Sequence, residues 1–279
     1  MTITTERIRH RVVTTPAGRR KYIEILMSHL KSQRDSFDRW DLWLNTIDPD
    51  DLSYLRSLPL EHPWIRCIEL GVPFDPAEPN HGISSFYEHA CEDDAVYVRL
   101  DDDIVWLEPG FLEELFSFRE TTRGPPLVFG NIVNNGVLSH LHQRFGGITG
   151  ESELAPYNYD SSRIHDGTFA ERLHRQFLKA IADSRLQSWK FDKWVLYDYD
   201  PVNVNCIAWH GDEMKLLVTS VGVRKDEEFF LAHVWPRVFG KPHVIFGRKL
   251  CVHYAFRDQR SILDQTDILS EFRRVASKL

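Results

Sequence analysis

From residue 8 to residue 133 short β-rich runs alternate with stretches of helical periodicity, a pattern that few architectures accommodate. Parallel strands need crossover connections, so the alternation implies βαβ units and a mixed, mostly parallel α/β sheet with helices on both faces. The predicted strands are 8–15, 40–45, 64–70, 95–100 and 127–133. Between them, Tyr22, Ile23, Leu26 and Leu30 fall at helical spacing, Ile83, Phe86, Tyr87 and Ala90 predict a helix over 81–91, and Pro109 opens one over 110–119. The second half is less regular. Residues 139–166 are rich in Gly, His, Tyr and Asn and read as long loops around a site; a helix follows at 167–182. A strand at 204–209, a helix at 226–235 stopped by Pro236, a strand pair within 243–256 and a closing helix over 259–277 complete the expectation.

With 279 residues, 42% apolar and 27% charged, the chain suits one globular domain and neither a coiled coil nor a disordered polymer. Its 34 Lys plus Arg against 41 Asp plus Glu leave a net charge of −7, which argues against nucleic acid as a partner. No apolar run approaches the roughly 18 to 20 residues of a bilayer span, and the first residues lack the apolar core of a secretory signal, so no transmembrane segment and a cytoplasmic location are expected. Cys67, Cys91, Cys206 and Cys251 form no C-x-x-C pair and read as reduced thiols. The nucleophile-elbow, P-loop, dinucleotide-fingerprint and H-E-x-x-H signatures are absent.

Three consecutive carboxylates, Asp101, Asp102 and Asp103, follow the fourth predicted strand, where open α/β sheets place their ligand crevice. In extended chain Asp101 and Asp103 point to the same side and can together hold Mg²⁺ or Mn²⁺. The competing account is a solvated acidic turn, or a set of partners for Arg99. Arg19, Arg20 and Lys21 lie in the first turn of a predicted helix, where the macrodipole disfavours cations; a diphosphate among them, approached closely at Gly18, would relieve this. Asp226, Glu227 and Glu228 sit at another predicted helix start, where carboxylates are favourable on electrostatic grounds alone. His140 and His142, on one side of a strand, form a minor alternative metal pair. The segment Trp209 to Glu213 could bind an acceptor, with Trp189 and Trp194 as further stacking faces, and Gly146, Gly147 and Gly150 could form a mobile lid.

The segment V-R-L-D-D-D-I-V-W-L at 98–107 resembles the DXD motif of glycosyltransferases with the GT-A fold. V-T-T-P-A-G-R-R-K at 13–21 is similar to the first nucleotide-binding loop of that fold, L-W-L-N-T at 42–46 to its second strand end, and D-E-E at 226–228 to its later acidic motif. The resemblance runs in order from about residue 10 to 270 and implies a GT-A-like domain over 1–279, with a donor-binding half over 8–133 and an acceptor half over 134–279. It further implies a metal-dependent transfer of a sugar from a nucleotide-sugar, with UDP-sugar favoured, to a carbohydrate or glycoconjugate hydroxyl. Asp101, Asp103 and His253 would hold Mn²⁺ or Mg²⁺; Thr15, Gly18, Arg19, Asn45, Arg99, Asp101 and Asp102 would contact the nucleotide; Glu227 or Asp226 would be the base, with inversion. The alternatives are a nucleotidyltransferase acting on sugar phosphates, and a non-catalytic nucleotide- or glycan-binding protein.

Overall fold

The computed structural model describes residues 10–70, 75, 79–220 and 227–279. The first half is a run of strand and helix pairs: β1 (His10–Ala17), α1 (Arg20–Ser32), β2 (Arg39–Leu44), α2 (Pro49–Glu61), β3 (Ile65–Glu69), α3 (Pro79–Phe86) and β4 (Ala95–Leu100). After the acidic triplet come β5 (Ile104–Leu107), α4 (Phe111–Thr121), β6 (Val128–Val133), α5 (Gly136–Arg144), α6 (Ser162–His165), α7 (Gly167–Ala182) and β7 (Lys193–Val195). The chain ends with β8 (Cys206–His210), α8 (Gly211–Ser220), α9 (Trp235–Phe239), β9 (Val244–His253), α10 (Arg260–Leu263) and α11 (Ile268–Ala276).

These strands form one sheet in the order β3-β2-β1-β4-β8-β6-β9-β5, with β7 also paired to β9. β1, β2, β3 and β4 are parallel neighbours, as are β6 and β9; β8, β5 and β7 run the other way. The fold is therefore the mixed, mostly parallel, Rossmann-like α/β architecture that the alternation predicts. β8, from late in the chain, is wedged between β4 and β6, so the late segments reach the strand that carries the acidic triplet.

Local chemistry explains the element ends. α1 buries Tyr22, Ile23, Ile25, Leu26 and Leu30 on one side, which is why its periodicity is legible. α2 opens with Pro49 in its first turn and the Asp48 carboxylate accepting from the Asp50 and Asp51 N–H groups. α7 is capped by Asp166, whose side chain accepts from Phe169 N–H. α7 and α11 pack together, and α1 and α11 both pack on β5, around an apolar cluster that includes Trp106, Phe177, Tyr254 and Phe272.

The structure corrects several expectations. Residues 139–144, the start of the stretch predicted as loop, belong to α5, because Val137, Leu138 and Leu141 are buried and Asn135 caps the helix start. The expected pair of strands within 243–256 is one ten-residue strand, β9, which contacts β6, β5 and β7 along its length. Pro236 stops nothing: a π-helical turn over Phe229–Val234 runs into α9, which carries the proline near its start. The closing helix is broken between Leu263 and Ile268. Among the described residues no helix is long and apolar enough to cross a membrane.

Candidate functional site

The carboxyl ends of β1, β2 and β4 open into a cleft of about 750 Å³. This is where a parallel sheet leaves backbone groups and loop side chains free to meet a ligand. Six carboxylates and four guanidinium groups line it: Asp51, Asp101, Asp102, Asp103, Glu227 and Glu228 against Arg19, Arg99, Arg257 and Arg260. The acid excess leaves room for a divalent cation without an unbalanced buried charge.

The triplet divides its work. Asp102 is buried and points back to the first loop, accepting from Gly18 N–H at 3.1 Å and from the Arg19 guanidinium. Gly18 is required for this approach, since a Cβ there would lie 2.5 Å from the Asn45 carbonyl oxygen. Asp103, also buried, faces Arg19 at 3.0 Å, Arg260 at 3.4 Å and His253 Nε2 at 3.4 Å. Burial alone would raise its pKa, but Arg19, His253 and Arg260 together hold it well below the usual carboxylate range. Asp101 is half-buried, paired with Arg99 at 2.8 Å and accepting from Asn205 Nδ2 at 3.1 Å.

Asp101, Asp103 and His253 each offer a ligand atom within 4.8 Å of the others, a group able to hold a divalent metal. The surroundings of His253 suit that use. Its Nδ1–H donates to the Asn134 carbonyl oxygen at 3.2 Å, which turns Nε2 towards Asp103. A carbonyl on one ring nitrogen is the usual way of orienting the other as a metal ligand. Burial lowers the basicity of His253, yet the facing Asp103 carboxylate overrides it and raises the pKa above the ordinary value. Asn134 itself sits at φ 65°, a left-handed conformation held by reciprocal side-chain amide bonds with Gln259 and a bond to the Tyr254 carbonyl.

Arg99 is 3% exposed and forms the floor of the cleft between two acids. One face pairs with Asp101; Nη1 pairs with Glu227 at 2.8 Å and donates to the Tyr87 hydroxyl oxygen at 2.5 Å. Glu227 is thus tied down, burial pushing its pKa up against the pull of Arg99. Beside it, Glu228 Oε1 is buried with no hydrogen-bond partner, and burial raises this carboxyl to about 7. Asn45 also lines the cleft, with a buried Oδ1 that has no partner.

Other residues singled out from the sequence fall elsewhere. Thr15 is buried, its hydroxyl accepting from the Trp40 indole N–H at 2.9 Å, and it does not line the cleft. Arg20 pairs with Glu24 and Lys21 with Asp264, so of the three early cations only Arg19 reaches the triplet. The Arg20 N–H is taken by Asp51, so it is not free for a phosphate. Asp226 lies outside the described residues. His140 and His142 are on helix α5, where residues two apart do not share a side, and they bond Ala155 and Asn131 respectively. Trp209 is core, its indole N–H donating to Ala90, while Glu213 and Asp212 pair with Arg119 and Arg123. Gly147 packs on Trp189 away from the cleft. Sequence reasoning missed Asn134, Asn205 and Arg260, of which only the N-V-N run ending at Asn205 left any trace, and it named Glu228 in the acidic run without giving it a role of its own.

No protein-family model and no curated protein matches this chain. Solved structures do. A CMP:2-keto-3-deoxy-manno-octonic acid synthetase complexed with CTP superposes with a TM-score of 0.50 at 11% identity, covering 97% of this chain and all of that one. A mycobacterial protein gives 0.49 at 16% identity over 94% of this chain and 74% of its own. The 4-diphosphocytidyl-2C-methyl-D-erythritol synthase from Anaerococcus prevotii gives 0.40 at 11% over 95% of each. The first likeness shows a shared fold. It also corrects the sugar-transfer expectation: a structure that this fold matches over 97% of the chain is a synthetase complexed with CTP, not a glycosyltransferase.

Proposed function

We propose that the protein is a nucleotidyltransferase, joining a nucleoside monophosphate from a nucleoside triphosphate to a sugar acceptor and releasing pyrophosphate. The observation that carries this is the cleft: a carboxylate–histidine group and Arg19 meet at the strand ends in a fold shared, over its whole length, with a CTP-bound synthetase.

In this reading Asp101, Asp103 and His253 hold Mg²⁺ or Mn²⁺, which offsets phosphate charge and polarises the phosphoryl group when bound. Asp102 anchors Gly18 and Arg19, so the first loop is pinned to the triplet before a ligand arrives. Arg19, whose side chain is 31% exposed, turns towards the triphosphate, with Arg257 and Arg260 offering further positive charge from the opposite end of the chain. Asn45 Oδ1 accepts a hydrogen bond from the bound nucleotide. Arg99, itself buried, keeps Asp101 oriented through their ion pair.

The test is pyrophosphate release from ATP, CTP, GTP or UTP with Mg²⁺ and a panel of sugars, sugar acids and sugar phosphates. One triphosphate should support release, and Asp103→Asn should reduce it at least a hundredfold. Absence of release with every pairing overturns the reading.

A further inference from the structure

Two adjacent carboxylates enter the cleft from the start of the helical segment after residue 226, and the fold treats them differently. Glu227 accepts from Arg99 Nη1 at 2.8 Å in an almost fully buried pair, so its charge is consumed in holding the cleft floor. Glu228 also lines the cleft, yet its Oε1 is buried without a hydrogen-bond partner. An unpaired buried carboxylate oxygen is costly unless a ligand or a proton completes it. The groups acting on Glu228 are Asn203, which hydrogen-bonds it, the like charges of Glu227 and Asp101, and, most weakly, Arg99. Nothing in that set neutralises it as Arg99 neutralises Glu227.

We infer that Glu228 Oε1 is the proton acceptor for the attacking group of the second substrate, and that this group is a hydroxyl rather than an ionised phosphate or carboxylate. The inference rests on the nucleotidyl-transfer reading and deepens it. As the acceptor O–H bond breaks, its proton goes to Glu228 Oε1. The freed electron pair forms the bond from acceptor oxygen to the α-phosphorus. The bond from that phosphorus to its bridging oxygen breaks, and pyrophosphate leaves with the electron pair. No oxidant or further reactant is needed. An acceptor that is already an oxyanion would need no such base, and a buried carboxylate facing it would repel it. A carboxyl raised to about 7 is also matched to accepting a proton near neutral pH.

Two measurements test this separately from the reading beneath it. The first needs no substrate: carbon-13 carboxyl spectra of glutamate-labelled protein are titrated from pH 4 to 9 and compared with Glu228→Gln. A resonance titrating above pH 6 that vanishes in the variant is expected; the absence of any such resonance overturns the inference whatever the enzyme does. The second uses the pyrophosphate assay with pairs of acceptors, each a sugar with free hydroxyls and its phosphate ester. Turnover through the hydroxyl acceptor, a fall in kcat of at least a hundredfold in Glu228→Gln with KM for the triphosphate unchanged, and loss of the acidic limb of the pH profile are expected, with partial recovery in Glu228→Asp. Turnover only with phosphate acceptors, or an unaltered kcat in the glutamine variant, overturns it. If neither acceptor class turns over while the carboxyl resonance appears, the nucleotidyl reading fails and Glu228 is no base for it.

Discussion

At the level of single residues the cleft depends on charges that are committed to one another before any ligand arrives. Arg99 shows this most plainly. Replacing it with leucine would leave Glu227, and in part Asp101, as uncompensated carboxylates in a buried position. Removing one partner of a buried pair costs about 3–5 kcal/mol, so Arg99→Leu should lower the unfolding free energy by that amount, read as a lower denaturant midpoint with an unchanged slope. A change below about 1 kcal/mol would mean that the network is not buried in solution. The acidic triplet was legible in the sequence because three consecutive carboxylates beyond an apolar strand have few structural uses. The distinct roles of its members were not, because Asp102 meets Arg19 and Gly18 across more than eighty residues of chain. Glu228 stood in plain view at 226–228, yet only the partner of its neighbour, Arg99, shows which acid is left open.

At the level of elements, long apolar strands and amphipathic helices with clear stripes could be read directly. The predicted strand at 95–100 and helix at 167–182 coincide with β4 and α7. β5 went unread because Ile104–Leu107 is four apolar residues with no period, and α2 because its exposed sides and internal Pro59 blur the stripe. β9 was split in two because Gly247, Arg248 and Lys249 interrupt its apolar run. The structure explains Gly247: a Cβ there would lie 2.2 Å from the Phe191 ring and 2.5 Å from the Phe191 carbonyl oxygen. Gly247→Ala should therefore push the segment before β7 off β9, at a cost of about 1–3 kcal/mol. Hydrogen exchange should show faster exchange at Phe191 and Leu196, whose N–H groups bond Gly247 and His243. Unchanged protection at both amides would contradict this.

For the whole molecule, five buried histidines set the response to acid. His29 and His174 are lowered to about 4, and His142, His210 and His243 to about 3, in each case chiefly by burial. In the unfolded chain each titrates near 6.5, so between pH 6.5 and about 4 the unfolded state binds more protons and stability falls as pH falls. Each contributes up to about 1.4 kcal/mol per pH unit across that window. Asp103, whose folded pKa is depressed, adds a loss only below about pH 4. Glu228, raised to about 7, and Glu227, also raised, oppose this in part, because the folded state binds their protons first. Unfolding by urea at pH 7, 6 and 5 should still show a net decline; a flat profile over that range would contradict the burial of these rings. The overall architecture was readable from the alternation of strand and helix. The insertion of β8 between β4 and β6 was not, because a late strand joining an early one leaves no local pattern.

The proposed function requires that the cleft bind a nucleoside triphosphate through a metal held at Asp101, Asp103 and His253. Calorimetric titration of ATP, CTP, GTP and UTP into the protein with Mg²⁺, repeated in EDTA and with Asp103→Asn, tests it directly. One triphosphate should bind with Mg²⁺, and that binding should be lost in both controls. No binding of any triphosphate, or binding of equal strength in EDTA, would contradict it.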